Sequence, residues 1–135
     1  MRREILFRGK DENLEWVYGE LHVNCDRPHI HIGRAPFPYA GKRAFVVEES
    51  IGQFTGFTDK NGQRIFENDI LQYNGVKYLV LYDNKVSGAF ILVRKDDTYR
   101  HFFGEIAMPN QFEIVGNAFD NVGYVDEILS KWKEK

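Results

Sequence analysis

The sequence has a single cysteine, Cys25, in 135 residues. No disulfide can form within the chain, which excludes a secreted scaffold built on disulfides. Proline is scarce, at four residues, and two of them, Pro36 and Pro38, fall together in RAPFPYAGKR (34–43). No stretch approaches the ~20 apolar residues of a membrane-spanning helix. The N-terminus, MRREILFRGKDENLEW, has basic residues but no apolar run of signal-peptide length. Charge of one sign is missing too: 18 Lys and Arg against 20 Asp and Glu leave −2. Residues 1–45 carry +2, 46–75 carry −3, 76–103 carry +2 and 104–135 carry −3. No segment supplies the dense positive field of non-specific DNA binding. There is no GxSxG, no P-loop and no GxGxxG. The expectation is a cytoplasmic protein with no cofactor, and a non-enzyme rather than an enzyme.

What is present is apolar and aromatic. Hydrophobic residues make up 43% and aromatics 15%, enough for a core, and aromatic side chains fit pleated sheets. The length suits one domain, 1–135. The proline-containing loop at 34–43 marks a division into subdomains 1–46 and 47–135, because each proline removes a backbone donor and restrains the residue before it.

Residues 2–8 and 14–24 read as strands, the second partly covered on both sides or bent near Gly19. His29-Ile30-His31-Ile32 alternates as a short half-buried strand. Asp59-Lys60-Asn61-Gly62 and Asn74-Gly75 are hairpin signals. A meander is expected over about 69–103, with Tyr99–Phe103 as its last strand, and Phe112–Val115 adds another. Val125, Ile128, Leu129 and Trp132 fall at i, i+3, i+4 and i+7, one stripe of a C-terminal helix. The fold class is therefore mainly β: eight to ten short strands in hairpins and a meander, with one C-terminal α-helix. Residues 65–116 fit a small SH3-like barrel, with an additional small sheet from the N-terminal strands.

Three blocks stand in order: REILFRGKDENLEWVYGEL (2–21), SIGQFTGFTDKNGQRIFENDIL (50–71) and IVGNAFDN (114–121). In this order and spacing they resemble the YopX family of phage and prophage proteins. One departure is visible. The family pattern reads E-G-D-I where this chain has Glu67-Asn68-Asp69-Ile70. Asn tolerates left-handed φ best after Gly, so the bend can survive. The resemblance implies a phage or prophage origin, a bacterial cytoplasmic setting and no defined catalytic residues.

Several constellations carry potential chemistry. His22, Cys25, His29 and His31 form H-x2-C-x3-H-x-H, and imidazole and thiolate are good zinc ligands. The spacing fits no familiar finger, and the plainer account, an exposed strand face opposite Ile30 and Ile32, is the one the sequence favours. Asp59, Asn61 and Gly62 echo a calcium loop, but the glycine falls too early, so turn chemistry is the better account. Glu67 and Asp69 are a close acidic pair that could do acid–base work if burial raised one pKa; the plainer account points them to solvent or has Asp69 satisfy backbone donors at the bend. Lys77, Tyr78, Tyr82, Lys85, Arg94, Lys95 and Arg100 place aromatics among bases, as a single-strand nucleic-acid platform does. The plainer account buries the tyrosines in the core.

The leading functional expectation is a non-enzymatic accessory protein that binds a phage or host protein or self-associates. The alternatives are a nucleic-acid binder using the 76–100 meander and a small zinc-dependent hydrolase. A homo-oligomer is expected, with Val125, Ile128, Leu129 and Trp132 as its candidate interface if the helix reaches outward. If the stripe packs on its own sheet, the helix caps that sheet instead.

Overall fold

The computed structural model describes residues 4–23, 27–32 and 43–133. Cys25 and most of the 34–43 loop lie outside them. The described residues form ten strands and one α-helix: β1 (Phe7–Lys10), β2 (Trp16–His22), β3 (His29–Ile32), β4 (Arg43–Phe45), β5 (Gly52–Thr58), β6 (Arg64–Phe66), β7 (Asp69–Tyr73), β8 (Val76–Asp83), β9 (Ala89–Val93), β10 (Glu113–Asn117) and α1 (Val122–Lys133). The mainly β expectation holds. One sheet has the order β4-β3-β2-β1-β5-β6 and the other β10-β7-β8-β9. The chain divides into two compact units, Met1–Gly56 and Phe57–Lys135.

In the N-terminal unit, β1 to β4 pair antiparallel in sequence order. After β4 the chain passes to β5 by a 3-10 turn, Glu48–Ser50, which is fastened to β1. The Ser50 hydroxyl donates to the Val47 carbonyl at 2.6 Å and accepts the Lys10 N–H at 2.7 Å. Val46 passes so close to β1 that a Cβ on Gly9 would lie 2.9 Å from the Val46 Cβ.

In the C-terminal unit, Asn74 and Gly75 both take positive φ, at 50° and 74°. A tight hairpin between β7 and β8 requires this. Asn68 also lies at φ 76°, so the bend at the family's glycine position survives with asparagine in it. Asp59 does the turn chemistry expected of it: Oδ1 accepts the N–H of Asn61 and of Gln63, each at 2.9 Å. Its other oxygen accepts the Ile114 N–H at 3.1 Å, 55 residues away, and so ties the hairpin to β10. Asp69 accepts the Phe66 N–H at 2.8 Å, the backbone role anticipated at the bend.

The β10-β7-β8-β9 sheet is covered on both faces. Ile65, Leu71, Tyr78, Val80, Leu92, Ala107 and Phe112 form one buried cluster. Ile70, Leu79, Ile91, Val93, Val125 and Ile128 form the other, against α1. This corrects the SH3-like barrel. Different elements cover the two faces, so the sheet stays open with β10 and β9 as its edges and has no need to close on itself. The expected strand Tyr99–Phe103 reduces to one bridge, Leu92 to His101. The helix stripe takes the inward branch: Val125 and Ile128 are buried in the second cluster, with Leu129 and Trp132 packed against it.

Candidate metal centre

His-Ile-His-Ile on β3 sends both imidazoles to one face and Ile30 to the other, because strand side chains alternate. Ile30 is fully buried. The antiparallel register sets His22 of β2 directly opposite His29, and Glu20 opposite His31. Residues opposite each other share a face, so the three histidines converge although six residues of connecting chain separate His22 from His29. The His22 and His31 ring centroids are 4.0 Å apart. His29 lies 5.2 Å from His22 and 5.0 Å from His31.

The nitrogens matter more than the rings. His29 Nε2 and His31 Nε2 are 3.1 Å apart. One ring nitrogen from each of the three histidines falls within 4.8 Å of the other two. Donors bound tetrahedrally at 2.0–2.1 Å from one ion sit about 3.3–3.4 Å from each other, so the pair is already near ligand spacing. Among the described residues this is the one such group of three.

The surroundings hold the trio in place. Phe45 stands edge-on to His29 at 6.0 Å and carries the Arg27 guanidinium over its face at 4.3 Å. Arg43 faces His31 across the β3–β4 pair. Glu20 Oε2 lies 3.8 Å from His22 Nε2. Burial holds the His31 imidazole below its ordinary pKa. The positive charges of His22 and His29, and then of Arg43, add to that, and Glu20 opposes it. A neutral imidazole keeps the lone pair that a metal needs. Gly19 leaves room for the close approach of β3, since a Cβ there would lie 1.9 Å from the His31 carbonyl oxygen.

Three members of the H-x2-C-x3-H-x-H set are thus brought together, and Cys25 lies outside the described residues. Glu20 was not singled out from the sequence, although it alternates in step with His22 along β2. The residues of the 76–100 set do not share a face. Lys77 and Tyr78 are neighbours on β8 and point to opposite sides; Tyr78 is in the core and Lys77 is exposed. Tyr82 is exposed and stacks edge-on to Phe90, and Lys85 is exposed in the following turn. Arg94 bonds Asp96 at 2.9 Å, Lys95 faces Glu127 at 4.0 Å, and Arg100 bonds Asp83 at 2.8 Å.

Residues 6–125 match the family model for the YopX protein. The chain belongs to the YopX family. The matched stretch takes in all three histidines, Asp59 and both sheets of this YopX-family chain. No curated protein matches it at a significant level. Among the described residues no helix is long and apolar enough to cross a membrane.

Proposed function

We propose that this YopX-family protein is a non-enzymatic binding module whose N-terminal unit takes a divalent transition metal ion of the zinc class on His22, His29 and His31. The observation that carries the reading is the 3.1 Å approach of His29 Nε2 to His31 Nε2 with the His22 ring 4.0 Å from that of His31. A hydrogen bond between two neutral imidazoles explains one such contact. Three rings gathered from two strands offer a ready set of nitrogen donors. Imidazole suits zinc, copper and nickel, and does not suit magnesium or calcium.

Isothermal titration of the metal-stripped protein tests this. Zinc should bind at one site per chain and magnesium should give no heat. His29→Ala or His31→Ala should abolish zinc binding, whereas His101→Ala should leave it intact. Failure of the unaltered protein to bind zinc overturns the reading.

A phage accessory role and a bacterial cytoplasmic setting, which the resemblance to the family suggests, are part of the same proposal. So does self-association. The edge strand β10 carries Val115, 43% exposed, and edges invite pairing. Light scattering over a dilution series checks it, and a mass of one chain at high concentration overturns it.

A further inference from the structure

We infer that Glu20 supplies the fourth donor of this centre, closing it into a three-histidine, one-carboxylate site that fastens β2 to β3. The inference rests on the reading of the three imidazoles as metal ligands, and it states what kind of metal site they make.

Placement comes first. Glu20 is two residues from His22 on β2 and directly opposite His31 on β3, so its side chain rises on the same face, between two of the ligands. Its Oε2 already lies 3.8 Å from His22 Nε2, against the about 3.3–3.4 Å expected between donors on one tetrahedral ion. The side chain is 79% exposed, so it can turn inward without breaking any packing.

Charge points the same way. Three neutral imidazoles leave a bound ion with its full double charge. Arg43, opposite His31 on the β4 side, adds a further positive charge nearby. A carboxylate on the ion removes part of that excess, and carboxylate oxygen completes nitrogen sets on zinc at about 2.0–2.2 Å.

The consequence is functional. Four protein donors make a structural site, whereas a catalytic one keeps a position for water or substrate. With Glu20 in place the ion ties the end of β2 to β3 and holds no reacting water, which sets this centre apart from that of a hydrolase. The rival fourth donor is Cys25, in the connection between the two strands.

Cobalt(II) absorption on the full-length, metal-stripped chain decides between them. The unaltered protein should give the intense visible bands of four-coordinate cobalt, unchanged by added azide. Glu20→Gln should weaken cobalt binding by about tenfold or more, since even partners outside the coordination shell are worth 10–100-fold. Its spectrum should then shift on adding azide, which enters the vacated position. A spectrum that azide shifts in the unaltered protein, with Glu20→Gln binding equally well, overturns the assignment. A near-ultraviolet thiolate-to-cobalt band that Cys25→Ser removes gives the fourth place to the cysteine and likewise overturns it. No cobalt or zinc binding at all sinks the three-histidine reading itself, a distinct result from loss of the Glu20 effect alone.

Discussion

The two compact units of the chain use their sheets in opposite ways. In Phe57–Lys135 the four-stranded sheet is buried on both faces, by α1 on one side and by Phe112 and its neighbours on the other. In Met1–Gly56 one face carries Ile30 inward while the other carries three imidazoles, a glutamate, and aromatic rings beneath cations: Arg8 and Lys10 over Trp16, Arg27 over Phe45. Of the buried hydrophobic residues, Ile30, Val46 and Phe54 belong to the N-terminal unit and all the others to the C-terminal one. A sheet face left out of the apolar core can gather polar side chains, and the buried ones here, Arg8 and His29, sit among polar and aromatic neighbours rather than in hydrocarbon. Chemistry therefore gathers in the unit with little apolar burial. A thin core is also where a metal staple adds most to stability.

Breaking the C-terminal core should produce the largest effect. Phe112 is fully buried and touches the rings of Tyr73, Tyr78 and Phe103. Phe112→Ala should cost about 3–5 kcal/mol in urea unfolding. A loss below about 1 kcal/mol would show that the face away from α1 is not a packed core. Next comes Asp59, a buried carboxylate serving three backbone N–H groups. Removing it leaves those donors without their acceptor, at about 1–3 kcal/mol for a buried unsatisfied group. Asp59→Ala should therefore cost about 2–3 kcal/mol, with amide exchange rising together at Asn61, Gln63 and Ile114. Faster exchange at the hairpin alone would mean that the 55-residue link to β10 contributes nothing.

Much of this division was legible in the sequence. Asn74-Gly75 announced its hairpin because both positions need positive φ. The i, i+3, i+4, i+7 stripe announced α1, and Asp59 announced its turn. What the sequence hid is long-range. The second oxygen of Asp59 reaches a strand that no local pattern connects to it. The SH3-like barrel failed because the meander's outward face also found cover, and the alternation in β7 and β8 reads as near-continuous apolar residues once both faces are buried. The histidine spacing pointed to four candidate ligands, but it could not show that His22 pairs with His29, because register depends on how the β2–β3 connection closes. Once that register is set, Glu20 falls beside the trio for the same reason. The helix stripe was correctly read as apolar, yet periodicity alone cannot say whether such a stripe meets its own sheet or a neighbour's.

Gly19 offers a finer test of the N-terminal unit. A methyl group there would lie 1.9 Å from the His31 carbonyl oxygen, far inside contact distance, so β3 must move away from β2. Gly19→Ala should cost about 1–3 kcal/mol through overpacking. It should also weaken zinc binding more than an exposed change such as Val86→Ala, because His31 rides on the displaced strand. Equal zinc affinity in a folded Gly19→Ala protein would show that the strand spacing at this glycine does not position the ligand.

The gentlest probe is pH, and it should separate the units without any mutation. In the metal-free protein, burial and the neighbouring histidines hold His31 below its ordinary value of about 6.5. The unfolded chain then takes up the proton first. The associated stability is full above about 6.5 and declines as pH falls below it. In the C-terminal unit, partial desolvation pushes the Asp83 carboxyl up. The Ser87 N–H and hydroxyl, the Lys85 N–H and the Arg100 guanidinium outweigh it and hold the group well below the usual carboxylate range. Its contribution is therefore present above about 3.9 and is lost only as pH falls further toward the lowered folded value. Amide protection measured from pH 7.5 to pH 3 should fall first around β2 and β3, starting near pH 6.5. The turn between β8 and β9 should hold until below pH 4, and Asp83→Asn should remove that late loss. Added zinc should shift the first transition to lower pH, because protons and metal compete for the same lone pairs. Loss of protection in both regions over the same pH interval would mean that the two sheets respond as one unit and that the contrast between them does not extend to stability.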